Sequence, residues 1–295
     1  MITMTNVTKT FGEVKALNNI DMHVPSGAVY GLVGSNGAGK TTLIRHLAGI
    51  YRQDSGRVCI DGQEVYENNV VKKRTGFIPD ELYFYPQNST YDAAKFLSGI
   101  YTGFDWSYYH ELSGAFSVDN IQPIRRMSKG MQRQAAFVLT IACRFDILLF
   151  DEAVDGLDPV ARRTLWKLLL SDVAQNGTTV VVSSHNLREL EDVCDHVGIM
   201  YKGRIILERS LGDLQSDVYK LNVAFDNDLP EEISGLSELH RSRNGKLYTI
   251  IVRGDRDEVS ERLTEFSPTF MDVIPLTLEE IFIYEIGGGE YDGIL

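Results

Sequence analysis

The chain has 295 residues, 43% hydrophobic and 24% charged, with 29 Lys and Arg against 41 Asp and Glu, for a formal net charge of −12. This is a globular, acidic composition with room for one large domain and a smaller one. It excludes a membrane span, because the nearest apolar run, residues 135–143, falls well short of the roughly 18 to 20 residues needed, and it opposes sequence-independent nucleic-acid binding, which relies on Lys and Arg neutralising phosphates.

The N-terminal residues lack the basic segment, apolar stretch and cleavage site of a secretory signal, which predicts a cytoplasmic protein. Cys59, Cys143 and Cys194 are odd in number and far apart, as suits reduced packing thiols. In chain order the pattern predicts a buried strand over 29–33, a glycine loop and a helix over 42–49. Strands follow at 58–60 and 76–79, then an aromatic-rich helical insertion running from 91 through 117. A helix over 131–143 leads to an apolar strand at 147–150, a helix at 159–174 and a second apolar strand at 178–183. After these come a helix at 186–194 and a strand at 197–200. Strands apolar on both faces and separated by helices predict a parallel sheet covered on both sides.

From residue 221 onward there are sixteen acidic against six basic residues, so this segment carries −10 of the charge. That step predicts a boundary near Asp217. Beyond it the sequence predicts a strand at 219–225, a hairpin at 239–252 turning at Asn244-Gly245, a helix at 257–266, a strand at 270–274 and a short helix at 276–284. The domains expected are 1–217, with a helical subdomain at about 82–145, an acidic α+β unit at 218–286, and a mobile tail at 287–295.

Gly34, Ser35, Asn36, Gly37, Ala38, Gly39, Lys40 and Thr41 fit G-x-x-x-x-G-K-[ST] between a predicted strand and a predicted helix that begins with Thr42. Its glycines let backbone N–H groups converge on a phosphate, and the helix points its positive end at the same anion. Lys40 would reach the β- and γ-phosphates, and Thr41 would offer its hydroxyl to Mg²⁺. The strand at 147–150 ends in Asp151 and Glu152. At the carboxyl end of a parallel strand Asp151 is placed to hold Mg²⁺, and Glu152 to take a proton from an attacking water.

With these residues in place, residues 1–220 resemble the ATP-binding subunit of an ABC transporter, a P-loop α/β cassette with a parallel sheet, an antiparallel β region and a helical insertion. The most discriminating element is Met127-Ser128-Lys129-Gly130-Met131-Gln132, which resembles the family signature L-S-G-G-Q. Ser128 also reads as the N-cap of the following helix. The resemblance implies a head-to-tail homodimer in which Ser128, Lys129, Gly130 and Met131 of one subunit close over the γ-phosphate held by the other. It also implies ATP and Mg²⁺ as ligands. Gly156-Leu157-Asp158-Pro159 resembles the D-loop, which links the two ATP sites. His185 matches the switch histidine that contacts the γ-phosphate, and Phe11 the aromatic that stacks on adenine, although one aromatic near a turn serves packing equally well.

Where the family commonly has glutamine, the chain reads Pro79-Asp80-Glu81. Asp80 lacks the amide donor and could approach Mg²⁺ directly or through water, or leave the attacking water less well ordered. The resemblance implies an ATPase acting on a separate membrane subunit at the cytoplasmic face of the membrane. Lys129 and the short acidic C-terminal extension favour the exporter branch, akin to exporters of antibiotics or amphipathic peptides such as phenol-soluble modulins. Tyr83, Phe84 and Tyr85 suit either docking of a partner helix or packing within the insertion. A non-transport ABC ATPase and a nucleotide-sensing module are the alternatives. The transported substrate belongs to the membrane subunit and is not written in this chain.

Overall fold

The computed structural model describes residues 1–225 and 236–280, so the predicted tail and the end of the helix at 276–284 lie outside the described residues. Contacts divide the chain into one unit of residues 1–186 and 193–208 and a second of residues 187–192 and 209–295. The division falls nine residues before the charge step predicts it.

The first unit opens with two long strands, β1 (Ile2–Phe11) and β2 (Val14–Val24). They pair antiparallel, with register shifts between Met4 and Thr10. β3 (Val29–Val33) is buried at every position and leads into helix α1 (Lys40–Leu47). β4 (Ser55–Ile60) and the two-residue β5 (Gln63–Glu64) complete an antiparallel sheet in the order β2-β1-β4-β5. A four-residue helix, α2 (Asn69–Lys72), precedes β6 (Thr75–Ile78).

The helical insertion contains α3 (Thr90–Ile100), α4 (Trp106–Ala115) and α5 (Lys129–Ala142). Each begins where a side chain can hold a free backbone N–H: Ser89 and Asp92 form a capping box on α3, Asp105 caps α4 and Ser128 caps α5. The chain then returns to the sheet through β7 (Ile147–Asp151), α6 (Pro159–Asn176), β8 (Thr179–Ser184) and β9 (His196–Tyr201), and the short α7 (Leu187–Glu191) between the last two is grouped with the second unit. α6 has Asp158 as N-cap, Pro159 in its first turn and Gly177 in the left-handed region at its end. β10 (Arg204–Ser210) lies next to β9 across the turn Lys202-Gly203, where both residues have positive φ.

The central sheet runs β10-β9-β3-β8-β7-β6, with β9, β3, β8, β7 and β6 parallel. β3, β7 and β8 are buried throughout, which is why their sequences are apolar without alternation. One core cluster joins the central and antiparallel sheets through Leu17, Ile20, Leu32, Leu43, Leu47, Leu149 and Val181.

In the second unit, α8 (Leu211–Asp217) is followed by β11 (Val218–Ala224), β12 (Ser237–Asn244), β13 (Leu247–Arg253), α9 (Arg256–Thr264) and β14 (Phe270–Pro275). The strands form an antiparallel sheet in the order β12-β13-β11-β14, over a core of Leu221, Val223, Ile250, Val252, Val259 and Leu263. Asn244 pairs with Leu247, so the hairpin loop is Gly245-Lys246, one residue later than predicted, with Gly245 at φ 65°.

Candidate active site

The loop between β3 and α1 wraps a cavity of about 500 Å³ lined by Asn36, Gly37, Gly39, Lys40, Thr41, Thr42 and Glu152, together with Val14, Lys15, Ala16, Lys202 and Gly203. Two glycines set the loop's path. Gly39 sits at φ 110°, where a Cβ would lie 2.6 Å from the Ala16 carbonyl oxygen, and a Cβ on Gly34 would lie 2.4 Å from that of Met200. α1 begins at Lys40, two residues earlier than the periodicity predicts, directly after that left-handed glycine. The turn at Gly203 braces the loop: its N–H donates to the Ala38 carbonyl (2.9 Å), and its own carbonyl accepts from Asn18 N–H (2.8 Å).

Lys40 is buried. Its ammonium donates to the carbonyls of Gly34 (2.6 Å) and Ser35 (3.3 Å) and stands 3.1 Å from Glu152 Oε1. The Thr41 hydroxyl donates to Asp151 Oδ1 at 3.0 Å, and the buried Ser183 hydroxyl donates to the same oxygen at 3.0 Å. Asp151 Oδ2 is buried without a hydrogen-bond partner. Burial raises the Asp151 carboxyl above its ordinary pKa, against the lowering effect of the Ser183 and Thr41 hydroxyls. A buried carboxylate oxygen lacking a donor, beside a threonine hydroxyl, is a donor set that fits a hard divalent cation such as Mg²⁺.

Glu152 follows directly, at φ 49°, an uncommon conformation for a bulky non-glycine residue. Its N–H donates to Ser183 Oγ at 3.0 Å. His185 Nδ1 lies 3.1 Å from Asp155 Oδ2, and Ser184 Oγ donates to Asp155 Oδ1 at 2.8 Å. Glu152, Asp155 and His185 converge, with one polar atom of each lying within 4.8 Å of the others. Burial raises the Asp155 carboxyl above its ordinary pKa, while Ser184 and His185 lower it. The ends of β7 and β8 and the start of α1 therefore bring Lys40, Thr41, Asp151, Glu152 and His185 together.

Other candidate residues lie elsewhere. Phe11 does not line the cavity: it pairs with the cavity-lining Val14 at the strand end, and its ring meets Tyr51 edge-on at 5.4 Å. Ser128 caps α5 by accepting from Met131 N–H (3.3 Å), and Asp158 caps α6 by accepting from Val160 and Ala161 (3.0 Å each). Ser128, Lys129, Gly130, Met131 and Asp158 stand outside this chain's own phosphate cavity. Asp80 pairs with Arg133 at 2.8 Å rather than with Thr41 or Asp151. A separate cavity of about 430 Å³ is lined by Asp80, Glu81, Leu82, Lys129, Gln132 and Arg133.

Three contributors were not singled out in the sequence. Ser183 carried a usable signal, since a hydroxyl at the carboxyl end of an apolar strand next to the Asp151 strand must face the same ligand edge. Asp155 and Arg133 carried none, because their roles depend on contacts between distant segments.

A glycine loop ending in Lys-Thr at a helix start, with an acid pair closing the neighbouring strand, defines a nucleotide-binding cassette of the P-loop class. A family model described as ABC transporter matches residues 17–155. The chain is 32% identical over 211 residues to the lantibiotic transport ATP-binding protein SrtF of Streptococcus pyogenes, covering 71% of this chain and 90% of that one. It is 29% identical over 288 residues to the ABC transporter ATP-binding protein YtrB of Bacillus subtilis (strain 168), covering 98% of this chain and 99% of that one. The dimeric ATP-binding cassette MJ0796 with ADP and Pi bound shares the fold at a TM-score of 0.64 and 22% identity, over 72% of this chain and 99% of that one. The chain belongs to the ABC transporter family, as an ATP-binding subunit. No helix among the described residues is long and apolar enough to cross a membrane.

Proposed function

We propose that this subunit hydrolyses Mg²⁺-ATP and that two copies closing around two nucleotides drive a separate membrane-spanning subunit that exports an amphipathic peptide or antibiotic. The observation that carries the reading is the convergence of Lys40, Thr41 and Glu152 on one cavity, with the buried Asp151 hydrogen-bonded to Thr41 behind it. ATP enters with its triphosphate along the loop of Gly34, Gly37 and Gly39, and Lys40 exchanges its carbonyl and Glu152 contacts for phosphate oxygens. Thr41 and Asp151 are the residues that would hold Mg²⁺, which supplies positive charge to the β- and γ-phosphates. Released from Lys40, the Glu152 carboxylate accepts the proton of the attacking water, and His185, whose Nδ1 lies 3.1 Å from Asp155 Oδ2, presents its other nitrogen to the γ-phosphate.

Ser128 and Lys129 start a helix whose positive end lies outside the subunit's own site, which suits closure over a second copy's nucleotide. Tyr83 and Tyr85 are 78% and 60% exposed and stack edge-on at 6.2 Å, which supports docking of the membrane subunit at this face over packing within the insertion. The exported class follows from likeness to the lantibiotic transport relative. A steady-state ATPase assay with and without Mg²⁺ tests the enzyme. Nucleotide binding with no phosphate release at any protein concentration would leave only the sensing role.

A further inference from the structure

Arg133 lies in the first turns of α5, the helix capped by Ser128, yet its guanidinium reaches into the catalytic loop. Nη1 donates to the main-chain carbonyls of Glu152 (2.8 Å) and Ala153 (3.1 Å), and Nη2 reaches Asp80 Oδ1 at 2.8 Å. Three segments distant in sequence therefore meet on one side chain: the signature helix, the loop after β7 and the loop after β6. The contact is enclosed on one side by Gly156, where a Cβ would come within 2.5 Å of the guanidinium. The Arg133 side chain is largely buried, at 18% exposure, whereas its counter-ion Asp80 is half exposed.

The residue being held is in an unusual state. Glu152 has a left-handed backbone, with its N–H taken by Ser183 Oγ and its carbonyl by Arg133. Such a conformation persists only when its surroundings fix both flanking peptides, and here two side chains do so. A planar fork with five donors can serve two carbonyls and one carboxylate together; a lysine ammonium cannot match that geometry.

We infer that Arg133 is a positioning residue that holds the Glu152 backbone in its productive conformation, and that Asp80 is the counter-ion that aims Arg133. The inference rests on Glu152 being the general base. It assigns Asp80, which stands where the family has a glutamine amide, to the protein's own scaffold rather than to Mg²⁺. It also ties the start of the signature helix to the base through one side chain, so that a shift of α5 is transmitted to the Glu152 carbonyl.

The test is steady-state ATPase kinetics on the full chain, with ATP affinity and Mg²⁺ half-saturation measured in parallel. Arg133→Ala is expected to lower kcat about tenfold or more, the scale of a misplaced catalytic group, while ATP affinity changes by less than about threefold. Asp80→Ala should give a smaller kcat loss, Asp80→Asn should keep most of the activity by retaining the acceptor, and neither should raise the Mg²⁺ requirement. Adding Asp80→Ala to Arg133→Ala should cost little more, because the two act in one chain of contacts. Gly156→Ala keeps Arg133 but pushes its guanidinium away, and should reproduce the kcat loss in a protein that melts normally, even if Arg133→Ala folds poorly. Unchanged kcat in Gly156→Ala and Arg133→Ala, fully additive losses, or a raised Mg²⁺ requirement in Asp80→Ala would each overturn the inference. Glu152→Gln runs alongside: if it retains turnover the base assignment itself fails, whereas an inactive Glu152→Gln with normal Arg133 variants removes only the positioning role.

Discussion

The Lys40 ammonium stands 3.1 Å from Glu152 Oε1, so the candidate phosphate-binding cation and the candidate base neutralise each other in the structure. The pair leaves both groups with a partner in a site where either alone would carry unbalanced charge, since Lys40 is only 3% exposed. On the proposed function, ATP displaces Glu152 from Lys40, and that displacement frees the carboxylate for water. Glu152→Gln removes the base and the competing charge together. Turnover should fall by roughly 10²- to 10⁴-fold, the usual contribution of a positioned base, with ATP binding no weaker than in the wild type. Lys40→Ala should instead weaken ATP binding about ten- to a hundredfold, matching a lost charge-assisted hydrogen bond of about 1.5–3 kcal/mol. Binding isotherms with ATP and turnover measurements on both variants separate the two roles, and equal affinity in Lys40→Ala would remove the phosphate-site assignment.

The same buried charges make Ser183 a structural and a kinetic residue at once. Its hydroxyl donates to Asp151 and accepts from the Glu152 N–H, with no exposed surface. Ser183→Ala leaves a buried N–H and a buried carboxylate oxygen short of one partner each, and should destabilise the protein by about 1–3 kcal/mol. Turnover should fall as well, since the strained Glu152 loses its N-terminal anchor. Urea unfolding and ATPase assays on the one variant check both, and a stable, fully active Ser183→Ala protein would show that the strand end does not hold the base.

Asp155 and His185 make a second pairing at the site. His185 Nδ1 lies 3.1 Å from a carboxylate oxygen that is buried without a hydrogen-bond partner, so the carboxylate is placed to orient the ring. Ser184 fixes the other carboxylate oxygen, so Asp155 does not swing with the exposed histidine. Asp155→Ala should lower kcat with little change in ATP affinity, and Asp155→Asn, which keeps an acceptor at Nδ1, should recover part of the loss. Equal kcat in both variants and the wild type would show that His185 needs no anchor.

What the sequence made legible follows from how local each signal is. The phosphate loop and the acids at 151 and 152 sit at fixed offsets from strands that are apolar on both faces, so Lys40, Thr41, Asp151 and Glu152 could be placed without a structure. Helix starts at Ser128 and Asp158 were legible for the same reason, because a cap acts within three residues. β1 was not, since register shifts between Met4 and Thr10 break its period, whereas the strict alternation of buried Ile20, Met22 and Val24 in β2 is a strand signal that the elements predicted in chain order omit. The helix expected over 186–194 shrinks to Leu187–Glu191, its pattern overridden by the return to β9. Arg133 was out of reach because its partners lie 53, 19 and 20 residues away, and nothing local marks a side chain that leaves its own helix. The charge of Asp80 was legible on the same account, but its counter-ion Arg133 was not.

His46, at the end of α1, gives stability a pH dependence of definite sign. It is 1% exposed, with Nδ1 2.7 Å from the Thr42 carbonyl, and burial lowers its pKa from the ordinary histidine value despite the raising effect of that carbonyl. Above about pH 6.5 the ring is neutral in both folded and unfolded chains and contributes no slope. As pH falls below that value, the unfolded chain takes up a proton that the folded one refuses, so stability declines until the pH reaches the lowered folded pKa and then levels off. The decline cannot exceed about 1.4 kcal/mol per pH unit for one group. Unfolding free energies measured from pH 7.5 to 5 should therefore drop more steeply in the wild type than in His46→Gln, and parallel curves would show that the ring accepts its proton inside the folded core.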